Sequence, residues 1–152
     1  MDKLAPQADM TSTLVRLARL YRLGVDAALT GIGLSDALAL PVVVLGRRPD
    51  GIRQHALADE LGVEGPSLVR LLDRLVEDGL VERREDPADR RAKRVTLTAA
   101  GRTHAKQASH ALDGFRAALL EGLDPADIQA CLRVFEVMES RLLASRREAR
   151  HD

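Results

Sequence analysis

The chain has 152 residues, 45% of them hydrophobic and 30% charged, enough apolar content to bury a core in one compact unit and to exclude global disorder. Aromatic residues amount to only 2%, which argues against readers of single strands that stack bases on aromatic rings. Lys plus Arg equals Asp plus Glu at 23 each, so net charge gives no general attraction to nucleic acid, and any such role rests on local clustering.

From Met10 to Leu29, Leu14, Leu17, Tyr21 and Val25 recur at helical spacing with Arg16, Arg19 and Arg22 between them, predicting an amphipathic helix that Gly31 and Gly33 end. Ser35 and Asp36 offer N-cap chemistry for a second helix to Leu45, in which Pro41 removes a backbone bond and predicts a kink. Gln54–Leu61 reads as a short helix, followed by a tight turn at Gly62 and a further helix opening at Pro66-Ser67. In that helix Leu68, Leu71, Leu72, Leu75 and Val76 form an apolar face, while Ser67, Arg70 and Arg74 share another. Leu80–Arg84 and Val95–Leu97 read as the strands of a hairpin with a turn at Asp86–Asp89 and basic residues at Arg90, Arg91, Lys93 and Arg94. Thr98–Gly101 opens a long helix to about Leu120, and Asp124-Pro125 caps the last one, where Ile128, Leu132, Phe135, Met138 and Leu142 make a stripe. Residues 146–152 read as a disordered, charged tail.

Two short helices across a tight turn and then a hairpin is the order of a winged helix-turn-helix, whose second helix enters the DNA major groove. The chain also resembles the MarR family of transcriptional regulators. The resemblance is carried by Leu57-Ala58, Leu61-Gly62, Pro66–Arg70, Leu75, Asp78–Val81, Arg83, Asp89-Arg90-Arg91, Leu97-Thr98 and Gly101, and the GVEGPSLVR and DRRAKR stretches are similar to the SlyA subgroup. It implies a mainly α fold with a small β-hairpin, a winged helix-turn-helix over 35–98, and dimerisation helices over 10–34 and 99–145. The Leu14, Leu17 stripe and the Ile128, Leu132, Phe135, Met138, Leu142 stripe would then meet a second subunit; packing inside one monomer is the other reading of the same stripes.

The resemblance places Ser67 and Arg70 in the major groove and Arg90 in the minor groove of an A·T-rich inverted repeat. Arg74 has two readings, DNA contact or pairing with Asp73, Glu77 or Asp78. Asp89 and Arg91 match a pair that holds the hairpin, while Lys93 and Arg94 would reach phosphate or solvent. The resemblance further implies a repressor that occupies promoter DNA, with activation by displacing other proteins in SlyA-like members, and release by a small anionic or aromatic effector. Arg16, Arg19 and Tyr21 could hold that effector, or the arginines could form surface or intersubunit ion pairs. The alternative for the whole chain is a winged-helix module used for protein contacts.

Cys131 lies beside the last stripe, where a free cysteine packs as a small hydrophobe rather than a redox sensor. His55, His104, His110 and His151 are scattered, without metal-ligand spacing, and no catalytic or phosphate-loop motif occurs, so neither metal, cofactor nor enzymatic activity is expected. The N-terminus lacks a basic region followed by an apolar stretch, and the longest apolar run, Ala37–Leu45, falls short of the roughly 20 residues of a membrane span. A cytoplasmic location is the expectation.

Overall fold

The computed structural model describes residues 5–148, apart from the side chains of residues 5, 90, 146 and 147. Helix α1 (Ala5–Leu29) begins earlier than Met10 and runs into a 3-10 turn (Thr30–Ile32) before α2 (Asp36–Gly46). A short strand β1 (Ile52–Arg53) leads directly into α3 (Gln54–Leu61), and α4 (Gly65–Glu77) follows. Strands β2 (Val81–Asp86) and β3 (Asp89–Leu97) form the hairpin, then α5 (Ala99–Leu119) and α6 (Pro125–Glu148) complete the chain. The chain divides into two compact units, one ending at Arg116 and the other starting at Ala117.

The first unit is built on leucine and valine: Leu29, Val42, Leu45, Leu57, Leu68, Leu72, Leu75 and Val95 are almost wholly removed from water. Their burial stabilises the unit by about 1.5–3 kcal/mol per side chain against the entropy of ordering the chain. Helix α2 contributes the unbroken buried run Pro41–Leu45, and it stays helical across Pro41. The side chain of Ser35 does not cap α2; its carbonyl instead accepts from the Leu38 and Ala39 N–H groups, while Asp26 Oδ1 accepts from the Asp36 N–H at 2.7 Å. A side chain from α1 thus supplies the cap expected from the local sequence.

Between α3 and α4 the chain turns at Gly62, whose φ of 64° lies in the left-handed region that glycine enters without steric cost. The Val63 N–H reaches the Ala58 carbonyl at 3.0 Å and closes α3, and Leu68 N–H to the Glu64 carbonyl at 3.0 Å opens α4. Leu68, Leu72 and Leu75 anchor α4, Leu71 is half-buried, and Val76 is 42% exposed, so the apolar face is narrower than the spacing predicts.

The predicted two-stranded hairpin is an antiparallel three-stranded sheet in the order β1-β3-β2. Ile52 pairs with Val95 and Arg53 with Arg94, a strand too short to register as a pattern in the sequence. In the hairpin Val81 pairs with Leu97 and Asp86 with Asp89, and a register shift between Glu85 and Asp86 leaves Arg90, Arg91 and Ala92 bulged out of the ladder on β3.

The motif Leu97-Thr98-x-x-Gly101 ties this sheet to α4 and α5. The Thr98 N–H donates to the Leu80 carbonyl at 3.0 Å, Thr98 Oγ1 donates to the Gly79 carbonyl at 2.7 Å, and the same hydroxyl accepts from the Gly101 N–H at 3.0 Å. One threonine therefore caps α5 and fixes the end of α4 against it.

In the second unit, Asp124 Oδ1 accepts from the Ala126 N–H at 2.8 Å, the expected cap of α6. Leu132, Phe135 and Leu142 are exposed, and Ile128 and Met138 half-exposed. Cys131 is exposed rather than packed. Helix α6 continues through Glu148, into the segment read as a tail, and 149–152 lie outside the described residues.

Candidate nucleic-acid interface

Ser67 and Arg70 lie one turn apart on the exposed side of α4, opposite Leu68 and Leu72. Arg70 makes no ion pair or side-chain hydrogen bond among the described residues. Arg74, one turn further on, is neutralised within its own helix: its Nε donates to Asp78 Oδ2 at 3.1 Å and its Nη1 lies 4.0 Å from Glu77. The other carboxylate of α4, Asp73, accepts from Arg83 Nη1 at 2.6 Å, and Arg83 Nη2 also donates to the Val69 carbonyl at 3.0 Å. The acidic residues that would repel phosphate thus have internal partners, and the pairings leave Arg70 with an unopposed charge.

On the wing the basic residues sort by strand alternation and by the bulge. Arg91 is exposed, its backbone N–H donating to Asp89 Oδ1 at 3.0 Å, so the Asp89–Arg91 pair is realised as a turn contact through the backbone rather than an ion pair. Lys93 is exposed with Glu85 Oε1 at 3.9 Å, and Arg84 is bound by Glu82. The side chain of Arg90 lies outside the described residues, while its backbone is in the bulged part of β3.

Arg94 departs from the expectation that it reaches phosphate or solvent. Its Nη1 donates to the carbonyls of Asp50 and Gly51 at 3.0 and 3.1 Å, and its Nη2 lies 3.4 Å from Asp86 Oδ2. Asp86, only 1% exposed, also accepts from Arg53 Nε at 2.9 Å and from the Ala88 N–H at 2.8 Å. This two-arginine clamp joins the loop before β1, β1 and the wing turn, and it was invisible in the sequence, where Asp86-Pro87 reads simply as a turn. Gly51 completes the junction: its φ is 74° and a Cβ there would meet the Val95 carbonyl at 2.5 Å.

The hydrogen bond from Arg53, then that from the Ala88 N–H, holds the Asp86 carboxyl well below the ordinary carboxylate range, against the opposing effect of burial. A lowered folded-state pKa contributes stability that is fully present above the unfolded value of about 3.9 and is lost as pH falls through the folded value. Asp86→Asn is therefore expected to unfold more easily than wild type at pH 7, with the gap shrinking below about pH 4. Urea denaturation at a series of pH values checks this; a gap that stays constant from pH 7 into strong acid would exclude the clamp as its origin.

Arg16, Arg19 and Tyr21 are exposed on α1. Arg16 Nη2 lies 3.4 Å from Thr13 Oγ1, and the Tyr21 ring is tilted against that of Phe115 with centroids 5.5 Å apart, so Tyr21 is engaged with α5.

A helix-turn-helix followed by a clamped β-wing defines a winged-helix protein. The MarR family model matches residues 33–92, from the start of α2 to the wing. A crystal structure described as transcriptional regulator PA3341 is 33% identical, with 89% of this chain and 98% of that chain covered and a TM-score of 0.79. The chain belongs to the MarR family and has the fold of its transcriptional regulators. A MarR mutant from E. coli complexed with operator DNA shares the fold at 20% identity, TM-score 0.78, covering 91% of this chain and 99% of that one. CouR from Rhodococcus jostii RHA1, bound to p-coumaroyl-CoA, does so at 24% identity and TM-score 0.76, covering 88% and 94%.

Proposed function

We propose that the protein is a homodimeric, sequence-specific transcriptional regulator that binds an A·T-rich inverted repeat in promoter DNA and acts chiefly by occupying it. The observation that carries this reading is the unpaired, exposed Arg70 beside Ser67 on α4, with the Arg90-Arg91 stretch bulged from the adjoining wing. Arg70 would pair with a guanine edge, Arg90 would enter the minor groove, and Arg91 and Lys93 would meet phosphates. Arg74 and Arg94, already committed to internal carboxylates and carbonyls, would contribute less.

Dimerisation is supported by the apolar side chains that α1 and α6 each leave in water, among them Leu14, Leu17, Leu20 and Leu23 on α1 and Leu132, Phe135 and Leu142 on α6. A two-fold dimer would address half-sites about 10 bp apart. The GVEGPSLVR and DRRAKR stretches favour a SlyA-like member, in which displacement of other bound proteins adds activation at some promoters. Release by a small anionic effector at Arg16 and Arg19 belongs to the same reading: Arg19→Ala would abolish the response while sparing DNA binding.

Selection of fragmented genomic DNA on the purified protein at low and moderate salt tests the proposal. Enrichment of an inverted repeat that survives moderate salt is expected. Retention that ignores sequence and vanishes with salt would instead mean a winged-helix module for protein contacts, with only generic electrostatic attraction to DNA. Arg90→Ala is expected to weaken binding to all sequences alike and to reduce the slope of log K against log salt by about 1. A slope equal to wild type would remove Arg90 from the interface.

A further inference from the structure

Strand β2 is fastened to the helix-turn-helix at two places, Arg83 and Asp86. Arg83 donates from Nη1 to Asp73 Oδ1 at 2.6 Å and from Nη2 to the Val69 carbonyl at 3.0 Å, both on α4. The buried Asp86 uses its two oxygens differently. Oδ1 accepts from the Ala88 N–H at 2.8 Å and shapes the wing turn itself, whereas Oδ2 accepts from Arg53 Nε at 2.9 Å and from Arg94 Nη2 at 3.4 Å. Arg53 is the residue immediately before α3, so this bond ties the wing turn to the first helix of the pair. One attachment leaves a strand free to pivot about it, and a second on a different helix removes that freedom.

Two observations separate these contacts from ordinary stabilising ion pairs. Strand β1 pairs with β3 only at Arg94 and Val95, so from Lys93 and Glu85 outwards the wing is a two-stranded ribbon, a form that is marginal in water by itself. The register shift at Glu85/Asp86 falls in that ribbon, and Asp86 is the residue that is clamped. Moreover, Arg83 Nε and Arg94 Nε are each buried without a hydrogen-bond partner among the described residues, a loss of about 1–3 kcal/mol apiece. Stability alone does not account for unsatisfied donors on both of the arginines that hold the wing; fixing its direction does.

We propose that Arg53, acting through Asp86, is a positioning residue for the wing: together with Arg83 it sets the wing's angle to α4, so that the bulged Arg90–Ala92 segment and the Ser67–Arg70 face reach one DNA site together. The proposal rests on the DNA-binding reading above, and it gives Arg53 itself no contact with DNA. Loss of Arg53 therefore costs affinity only through what the wing would have touched.

A double-mutant cycle on the full chain tests this, with the operator obtained by genomic selection and with Arg53→Gln, Arg90→Ala and the double variant at fixed salt. Arg53→Gln is expected to weaken operator binding about five- to tenfold when Arg90 is present, and less than about twofold in the Arg90→Ala protein. Asp86 keeps Arg94 and the Ala88 N–H in Arg53→Gln, and titration at a temperature where circular dichroism finds all four proteins folded keeps unfolding out of the readout. Amide exchange of the DNA-free proteins reads the same cause independently. The Ala88 and Arg91 N–H groups, which donate to Asp86 and Asp89, are expected to exchange about threefold faster or more in Arg53→Gln, while Leu68 and Leu72 on α4 keep their protection. Equal losses with and without Arg90 would make Arg53 an independent phosphate contact and overturn the proposal. Wild-type affinity in Arg53→Gln, or unchanged exchange at the wing turn, would overturn it as well. A wild-type protein without selective DNA binding would remove the reading on which it rests, whereas selective binding with additive losses would remove the positioning role alone.

Discussion

Gly101→Ala is expected to destabilise the first unit by about 3 kcal/mol or more, lowering its melting temperature by roughly 6–12 °C for a chain of this length. Gly101 is buried in the first turn of α5, and a Cβ there would overlap the Leu80 carbonyl oxygen and carbon, backbone atoms that cannot rotate away. That same carbonyl accepts from Thr98, so moving it aside would also break the tie between the wing base and α5. Gly114→Ala on the same helix is the control. A Cβ at Gly114 meets nothing within 4 Å, and the substitution should stabilise the helix by about 0.4–1 kcal/mol. Denaturant unfolding of the two variants with wild type would decide the matter: a Gly101→Ala protein within about 0.5 kcal/mol of wild type would mean that α5 does not approach Leu80 as described.

Arg70→Ala is expected to cost about 1–3 kcal/mol of affinity for the selected operator, roughly ten- to hundredfold, while affinity for unrelated DNA falls much less. The reason is availability. Of the three donors on the outer face of α4, Arg74 is held by Asp78 and Glu77 and Ser67 is short, so Arg70 alone combines reach, charge and freedom. Arg74→Ala should change operator affinity by less than Arg70→Ala. Titration of labelled operator and scrambled duplex, at fixed salt, separates the two. Equal losses on both duplexes would make Arg70 a phosphate contact, and no loss on either would remove α4 from the interface.

Element order was largely legible in the sequence because the signals are local. Gly62 between two helical periods, Pro66 at the start of α4, Thr98 before α5 and Asp124-Pro125 before α6 each act within a few residues of themselves, and the structure places an element boundary at each. The face of α4 that carries Leu68, Leu72 and Leu75 follows from helical periodicity alone, and so does the placement of Ser67 and Arg70 opposite to it. Even the DRR and LTxxG patterns mark local chemistry, the first a backbone turn at Asp89 and the second a cap at Thr98.

The partners of the charges were decided only by tertiary structure. Whether Arg94 faces DNA or holds the wing depends on Asp50, Gly51 and Asp86, of which the first two lie more than forty residues away in the chain. Arg53 meets Asp86 only because β1 adds to β3, and two residues of strand carry no periodicity to announce it. Hydrophobic period and capping are short-range properties written along the chain, so the sequence by itself determined the elements and their apolar faces. Charge neutralisation depends on which distant side chains converge, and only the folded structure decides which arginines are spent internally and which remain free.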